Sequence, residues 1–165
     1  MIDRICVHCG IALQVTDLRF CSTGCGRPLP TFYAAHGGAG ISLLTDLLGG
    51  VDGGHWSSID PATLPTRRLP ILVGRTHLAG LQSMQEALGG MTGFFDLVVF
   101  NRDSPGRMLK PLTDRAYIIT GTANATMTCP FVPTWRVDPT DTTAKDAAAF
   151  LARFRAHYAN SLEKK

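Results

Sequence analysis

Four cysteines near the N-terminus have the spacing of a metal site. They are Cys6, Cys9, Cys21 and Cys25. The first pair is separated by two residues and the second by three, and a glycine after each pair lets a tight turn close around the sulfurs. Zinc prefers four soft ligands in a tetrahedron, which two such turns supply. The spacing therefore predicts a structural Zn²⁺ held by these four thiolates.

Two alternatives stay open for this segment. The second pair departs from the usual two-residue spacing, which leaves room for His8 to replace one cysteine. The thiols could also be free or redox-active. The zinc interpretation is favoured because residues 1–30 are too few to fold on a hydrophobic core alone, so a metal would hold them together.

Residues 1–30 resemble a short zinc ribbon, closed by the linker-like stretch GRPLP. The resemblance implies a docking module for proteins or nucleic acid. Three arginines and two aspartates give the segment a charge of +1, to which four thiolates on Zn²⁺ add −2. A slightly anionic unit disfavours nucleic acid, so we expect a protein partner or simple stabilisation of the larger domain.

A second candidate site is the glycine-rich stretch HGGAGIS, residues 36–42. An apolar run precedes it and a helical pattern follows, which is the context of a phosphate-binding loop. In such loops, consecutive backbone N–H groups converge on an anion at the N-terminus of a helix. Glycines permit both the turn and the close approach of the anion.

The spacing of this stretch resembles the loop of the ParA/MinD-type partition and cell-division ATPases, K-G-G-x-G-K-[ST]. His36 then stands at the signature lysine, Ile41 at the phosphate-binding lysine and Ser42 at the hydroxyl that holds Mg²⁺. The resemblance implies ATP or GTP with Mg²⁺ as ligand. It assigns the contacts to the loop and to an asparagine after a later strand, which meets the base: His36, Gly37, Gly38, Ala39, Gly40, Ile41, Ser42 and Asn101.

The resemblance extends weakly to later segments. LPILVGRTHLAGLQSMQEALGG and FFDLVVFNRDSPGRM resemble the later strand, helix and strand of that family, and CPFVPTWR resembles its final short strand. AHGGAG-x-S, RTH and the terminal W/R segment also resemble a set of actinobacterial proteins labelled as ATP/GTP-binding. This resemblance implies a reduced fold without assigning an activity.

Both lysines of the family pattern are replaced, and an isoleucine cannot neutralise phosphate charge. Residues 49–68 also contain no strand ending in an aspartate that would orient Mg²⁺. Arg75, Arg102 or Arg67–Arg68 could approach the anion instead. Three interpretations stay open: nucleotide or phosphate binding without efficient hydrolysis, glycines that only allow tight packing, and a weak ATPase or GTPase.

The rest of the chain, residues 31–165, alternates apolar runs and helical patterns, which predicts an α/β domain with a mostly parallel sheet flanked by helices. Residues 49–68 are predicted to form a long loop. The predicted strands are Thr31–Ala35, Pro70–Gly74, Asp96–Phe100, Ala116–Thr120 and a short one near Thr128–Val132. The predicted helices are Ile41–Leu48, His77–Leu88, Ser104–Leu112 and a last one from about Thr143.

Three histidines, His36, His55 and His77, could gather at the strand ends for metal or acid–base chemistry. The alternative, which we favour, is that each serves its own loop or turn. Trp135 and Arg136 form a possible stacked pair near the site, or Trp135 closes the bottom of the sheet.

The composition indicates a globular chain with 45% apolar residues and a net charge of +3, too mild for a dedicated nucleic-acid binder. No apolar run approaches the roughly 20 residues of a membrane span, and the N-terminus has no signal-peptide core, so we expect a cytoplasmic protein. Two functions follow. One is a nucleotide-responsive accessory protein. The other is a non-catalytic zinc-ribbon adaptor for a partner such as a partition, conjugation or secretion ATPase.

Overall fold

The structure is a computed structural model that describes residues 29–60, 68–138, 141 and 143–163. The predicted zinc ligands Cys6, Cys9, Cys21 and Cys25 lie outside these residues. The zinc ribbon therefore stays a prediction.

Within the described residues, five strands form one all-parallel sheet flanked by four α-helices, so the expected α/β class is confirmed. The strands lie side by side in the order β2-β1-β3-β4-β5. They are β1 (Leu29–Ala34), β2 (Val51–His55), β3 (Arg68–Arg75), β4 (Leu97–Asn101) and β5 (Thr126–Cys129). The helices are α1 (Ile41–Leu48), α2 (Leu78–Gly90), α3 (Lys110–Thr122) and α4 (Lys145–Glu163).

The helices cover both faces of the sheet, two on each. Helices α1 and α4 share one hydrophobic cluster with Phe32, whereas α2 and α3 share the opposite cluster with Tyr33. These neighbours on β1 point to opposite faces because side chains alternate along a strand. The inner strand β4, LVVFN, is buried along its whole length, as expected for a parallel strand covered on both sides.

Three predicted elements are wrong. Residues 49–68 contain the strand β2 and a 3₁₀ turn, Trp56–Ser58, and are not one long loop. Ala116–Thr120 lies inside α3 and is not a strand. The helix predicted over Ser104–Leu112 begins only at Lys110, because the residues before it form an irregular loop.

The order of the strands places a switch point between β1 and β3. From β1 the chain moves outward to β2, then returns across β1 to β3, so the loops after β1 and β3 run to opposite faces. In open α/β sheets, ligands bind at such a switch point, beyond the carboxyl ends of the strands. Among the described residues, no helix combines the length and apolar character required to cross a bilayer.

Candidate anion site

The glycine loop between β1 and α1 begins with a tight turn. The Ala39 N–H donates to the carbonyl of His36 at 3.2 Å, and Gly38 has a φ of +75°. This is the geometry of a type II turn, which favours glycine at its third position. Gly40 follows in the left-handed region, with a φ of 93° and a ψ of 25°, and forms the N-cap of α1.

The N-terminus of α1 lacks a side-chain cap. No side chain accepts a hydrogen bond there, and the first turn contains no acidic residue. The first hydrogen bond of the helix is from Leu44 N to Gly40 O, so within the described residues the N–H groups of Ile41, Ser42 and Leu43 have no acceptor. Such amides, together with the helix dipole, attract an anion.

Asn101, at the end of β4, lies against this loop. The residue is only 7% exposed, and its Nδ2 donates to the Ala39 carbonyl at 3.1 Å. A Cβ at Gly40 would collide with the Asn101 amide, so glycine is the residue that fits this position. The structure thus brings the predicted asparagine to the predicted loop, 62 residues away in sequence.

A cleft of about 120 Å³ adjoins Asn101 and the first turn of α1 at Leu43. Three arginines line it: Arg75 at the end of β3, Arg102 after β4 and Arg136 after β5. The lining of the cleft also contains the carboxylate of Asp103, which accepts a hydrogen bond from Arg75 at 3.1 Å. The lining therefore carries a surplus of positive charge, which favours an anionic ligand. We call the glycine loop, Asn101 and this cleft the candidate anion site.

The three arginines are held by different contacts. Arg102 donates to the carbonyls of Ser104 and Gly106. The Arg136 guanidinium lies 5.4 Å from the centre of the Phe131 ring, and within the described residues no carboxylate pairs with it. Arg136 is therefore the cation of this cleft that is most available to a ligand.

His36 anchors the glycine loop to β3. Its Nε2 accepts from the Arg75 backbone N–H at 3.1 Å, and its Nδ1 lies 2.8 Å from the Gly37 carbonyl. Because an amide can only donate and a carbonyl can only accept, these contacts select the neutral tautomer with the proton on Nδ1. Burial lowers the pKa of His36, and repulsion from His77, Arg75 and His55 lowers it further, while the bond to Gly37 raises it.

Each of the other two histidines serves its own loop. His77 caps α2 by accepting from Gly80 N at 3.0 Å, and its ring centre is 5.0 Å from that of His36. His55 accepts from Ser57 N at the end of β2. Across the part of the chain that the structure describes, no three potential ligands converge on a metal position.

The tryptophan and the cysteine near β5 are structural. Trp135 is buried, and its Nε1 donates to the Asp141 carbonyl at 2.6 Å. The ring on which Arg136 lies is that of Phe131, and Trp135 lines the cleft beyond the carboxyl ends of the strands, so it does not close the bottom of the sheet. Burial raises the pKa of Cys129 to about 12, which leaves its thiol protonated and unreactive.

Sequence reasoning missed how tightly the loops at this edge are tied together. The Thr76 hydroxyl accepts from Asp103 N, and Thr76 N donates to the Asn101 carbonyl. The sequence does not show the register of β3 against β4, and this register places Arg75 beside Asn101. The position of Arg75 and Arg102 at strand ends was the clue available in the sequence.

The chain was compared with protein-family models, curated proteins and solved structures, and none of them matched it.

Proposed function

We propose that the chain binds a phosphate-bearing ligand of the nucleotide class at the candidate anion site and does not hydrolyse it efficiently. One observation carries the proposal: the uncapped N-terminus of α1 opens beside the buried Asn101. Both features belong to the carboxyl edge of a parallel sheet, next to its switch point. The likeness of HGGAGIS to the ParA/MinD-type loop points to the same ligand class.

The charges of the site support a ligand with more than one anionic group. Arg75, Arg102 and Arg136 outnumber Asp103 in the lining of the cleft. The amides of the first turn of α1 add the positive end of the helix dipole. A phosphate chain between the loop and the cleft would meet donors at both ends.

Efficient hydrolysis is not expected from these residues. Catalysis of phosphoryl transfer relies on positioned cations and a coordinated Mg²⁺. Ile41 stands where the family has its lysine. Asp103, the carboxylate of the cleft, is occupied by Arg75. We therefore expect binding with little turnover.

The test is calorimetric titration of the full chain with ATP, GTP, ADP and GDP, each with and without Mg²⁺. We expect saturable micromolar binding of at least one nucleotide, and no phosphate release on prolonged incubation. Absence of heat up to millimolar nucleotide would refute the proposal. Rapid release of phosphate would refute the claim of slow hydrolysis alone.

A matched pair of arginine variants locates the site. Arg136→Ala removes a cation that lines the cleft. We expect roughly tenfold weaker nucleotide binding, because about one charge-assisted hydrogen bond to the ligand is lost. Arg155→Ala makes the same change at an exposed position on α4 and should leave affinity unchanged. Equal losses in both variants would point to non-specific attraction.

A further inference from the structure

The strand β5 is one edge of the sheet, and its outer side is open within the described residues. Val98 N donates to Ala125 O, and Arg102 N donates to Cys129 O. Along a strand the N–H and C=O groups of successive residues point to alternate sides. Since Ala125 and Cys129 face β4, the backbone groups of Met127 face β4 as well, and those of its two neighbours face outward. The N–H and C=O groups of Thr126 and Thr128 thus point away from the sheet, without partners among the described residues.

A groove of about 470 Å³ follows this edge between α3 and α4. Its α3 wall carries Tyr117, which is 79% exposed. Its other wall carries the exposed Arg153 of α4, and Arg102 lies at its end. The groove therefore combines free main-chain donors and acceptors with an exposed aromatic ring on one wall and positive charge on the other.

We propose that this edge groove binds an extended acidic peptide of another protein as a sixth strand. An added strand would exchange backbone hydrogen bonds with Thr126 and Thr128. Its side chains would alternate between the two walls, because successive residues of a strand point to opposite faces. Apolar residues would then pack on Tyr117, and acidic residues would face Arg153.

Charge favours this occupant over a second copy of the chain. A two-fold pairing of β5 with its own copy would place the two α4 helices on the same face of the joined sheet. Arg153 would then face the Arg153 of the second copy across the new pair of strands, which is unfavourable for like charges. A peptide with carboxylates at alternate positions makes the opposite, favourable pairs.

The experiment measures fluorescence anisotropy of labelled hexapeptides with the full chain. One peptide alternates valine and glutamate, and the other alternates valine and lysine. We expect saturable binding of the glutamate peptide. The lysine peptide should bind at least roughly tenfold more weakly than the glutamate peptide. Equal affinity for the two peptides, or no binding of either, would overturn the proposal.

Two variants separate added-strand binding from general charge attraction. Thr128→Pro removes an outward N–H without breaking the ladder with β4, and should cost roughly tenfold in affinity, whereas Thr128→Val keeps that N–H and should bind normally. Arg153→Glu should reverse the preference toward the lysine peptide. Unchanged peptide binding in both Thr128→Pro and Arg153→Glu would overturn the proposal.

Two further measurements keep the proposal testable if Thr128→Pro fails to fold. Methylation of alternate backbone nitrogens of the glutamate peptide removes its donors and should abolish binding to the unchanged protein. Sedimentation of the chain alone should show no self-association at the concentrations used. Self-association that Thr128→Val preserves, without peptide binding, would assign the edge to a second copy and overturn the proposal.

Discussion

Two helices begin at the same edge of the sheet, and their N-termini differ. Helix α2 is capped by His77, whose Nδ1 accepts from Gly80 N. Helix α1 has Gly40 as its N-cap, which has no side chain to offer, and its first-turn amides have no acceptor among the described residues. Both helices follow a strand of the same parallel sheet, so the difference lies in the loops and not in the fold.

The difference indicates which end is available to a ligand. An unsatisfied helix N-terminus is costly when buried, and proteins usually satisfy it with a side chain, water or a bound anion. At α2 the His77 side chain satisfies one first-turn amide and stands at the helix end, where an anion would otherwise bind. At α1 the glycine turn keeps the approach to the amides open. Substitutions at one helix end at a time therefore test the difference.

The largest effect is expected for Gly40→Ala. The left-handed backbone of Gly40 disfavours alanine, and the new Cβ would displace Asn101 from its hydrogen bond to Ala39. We expect a loss of about 2–4 kcal/mol in the free energy of unfolding, together with loss of anion binding. Urea unfolding and calorimetry measure the two effects.

Gly37→Ala is the control for this change. Gly37 lies in the same loop but outside the left-handed region, and a Cβ there would meet no atom within 4 Å. Its stability should stay close to that of the unchanged chain. Equal destabilisation by the two substitutions would show that the contact between Gly40 and Asn101 does not determine the loop.

Ile41→Lys adds a cation to the uncapped N-terminus of α1 and should increase the difference in anion binding between the two helix ends. The side chain of Ile41 is half-buried, so a lysine stem could cover the same apolar surface while its ammonium reaches the solvent edge. We expect roughly tenfold tighter ATP binding, equivalent to about 1.4 kcal/mol. Ile41→Met keeps the length without the charge, and a gain in that variant would contradict the electrostatic explanation.

Local patterns predicted the helices better than the edge strands. The apolar spacing of Ile41–Leu48 predicted α1 with its observed bounds. The strand β2, VDGGH, was missed because its glycines and aspartate are typical of loops, and it exists through its pairing with β1. The run AYIIT was predicted as a strand because it is a short apolar run, but it forms the middle of α3, where Tyr117 and Ile118 face outward.

The sequence predicted individual residues of the candidate anion site but not the contacts between them. The loop and Asn101 were selected by a resemblance of motifs, whereas their contact depends on strand order. The bonds from Arg75 to His36 and to Asp103 link residues 39 and 28 positions apart. Such contacts follow from which strands are neighbours, and local periodicity does not contain that information.

His77→Ala tests the capped end of the comparison. Removing the acceptor leaves Gly80 N unsatisfied, and we expect a loss of about 1 kcal/mol in the free energy of unfolding, as for other N-caps. Nucleotide affinity should not change, since α2 is not part of the candidate anion site. His77→Asn offers an oxygen in place of Nδ1 and should recover most of the loss. A fall in nucleotide affinity for His77→Ala would mean that the two ends are coupled.

The smallest effect is expected from pH, through His36, which holds the open loop against β3. Burial lowers the pKa of His36 below its ordinary value of about 6.5. Above that value neither state binds the proton. As pH falls below about 6.5, the unfolded chain binds a proton that the folded chain does not, so stability decreases until the lowered pKa is passed.

His36→Gln separates this contribution from other titrations. The glutamine oxygen can replace Nε2 as the acceptor for Arg75 N, and it does not titrate. Urea unfolding between pH 7.5 and 5.5 should show a shallower loss of stability in the variant than in the unchanged chain. Parallel pH profiles would mean that His36 is not the group responsible. The loop would then owe its position to the turn at Gly38 and the contact with Asn101 alone.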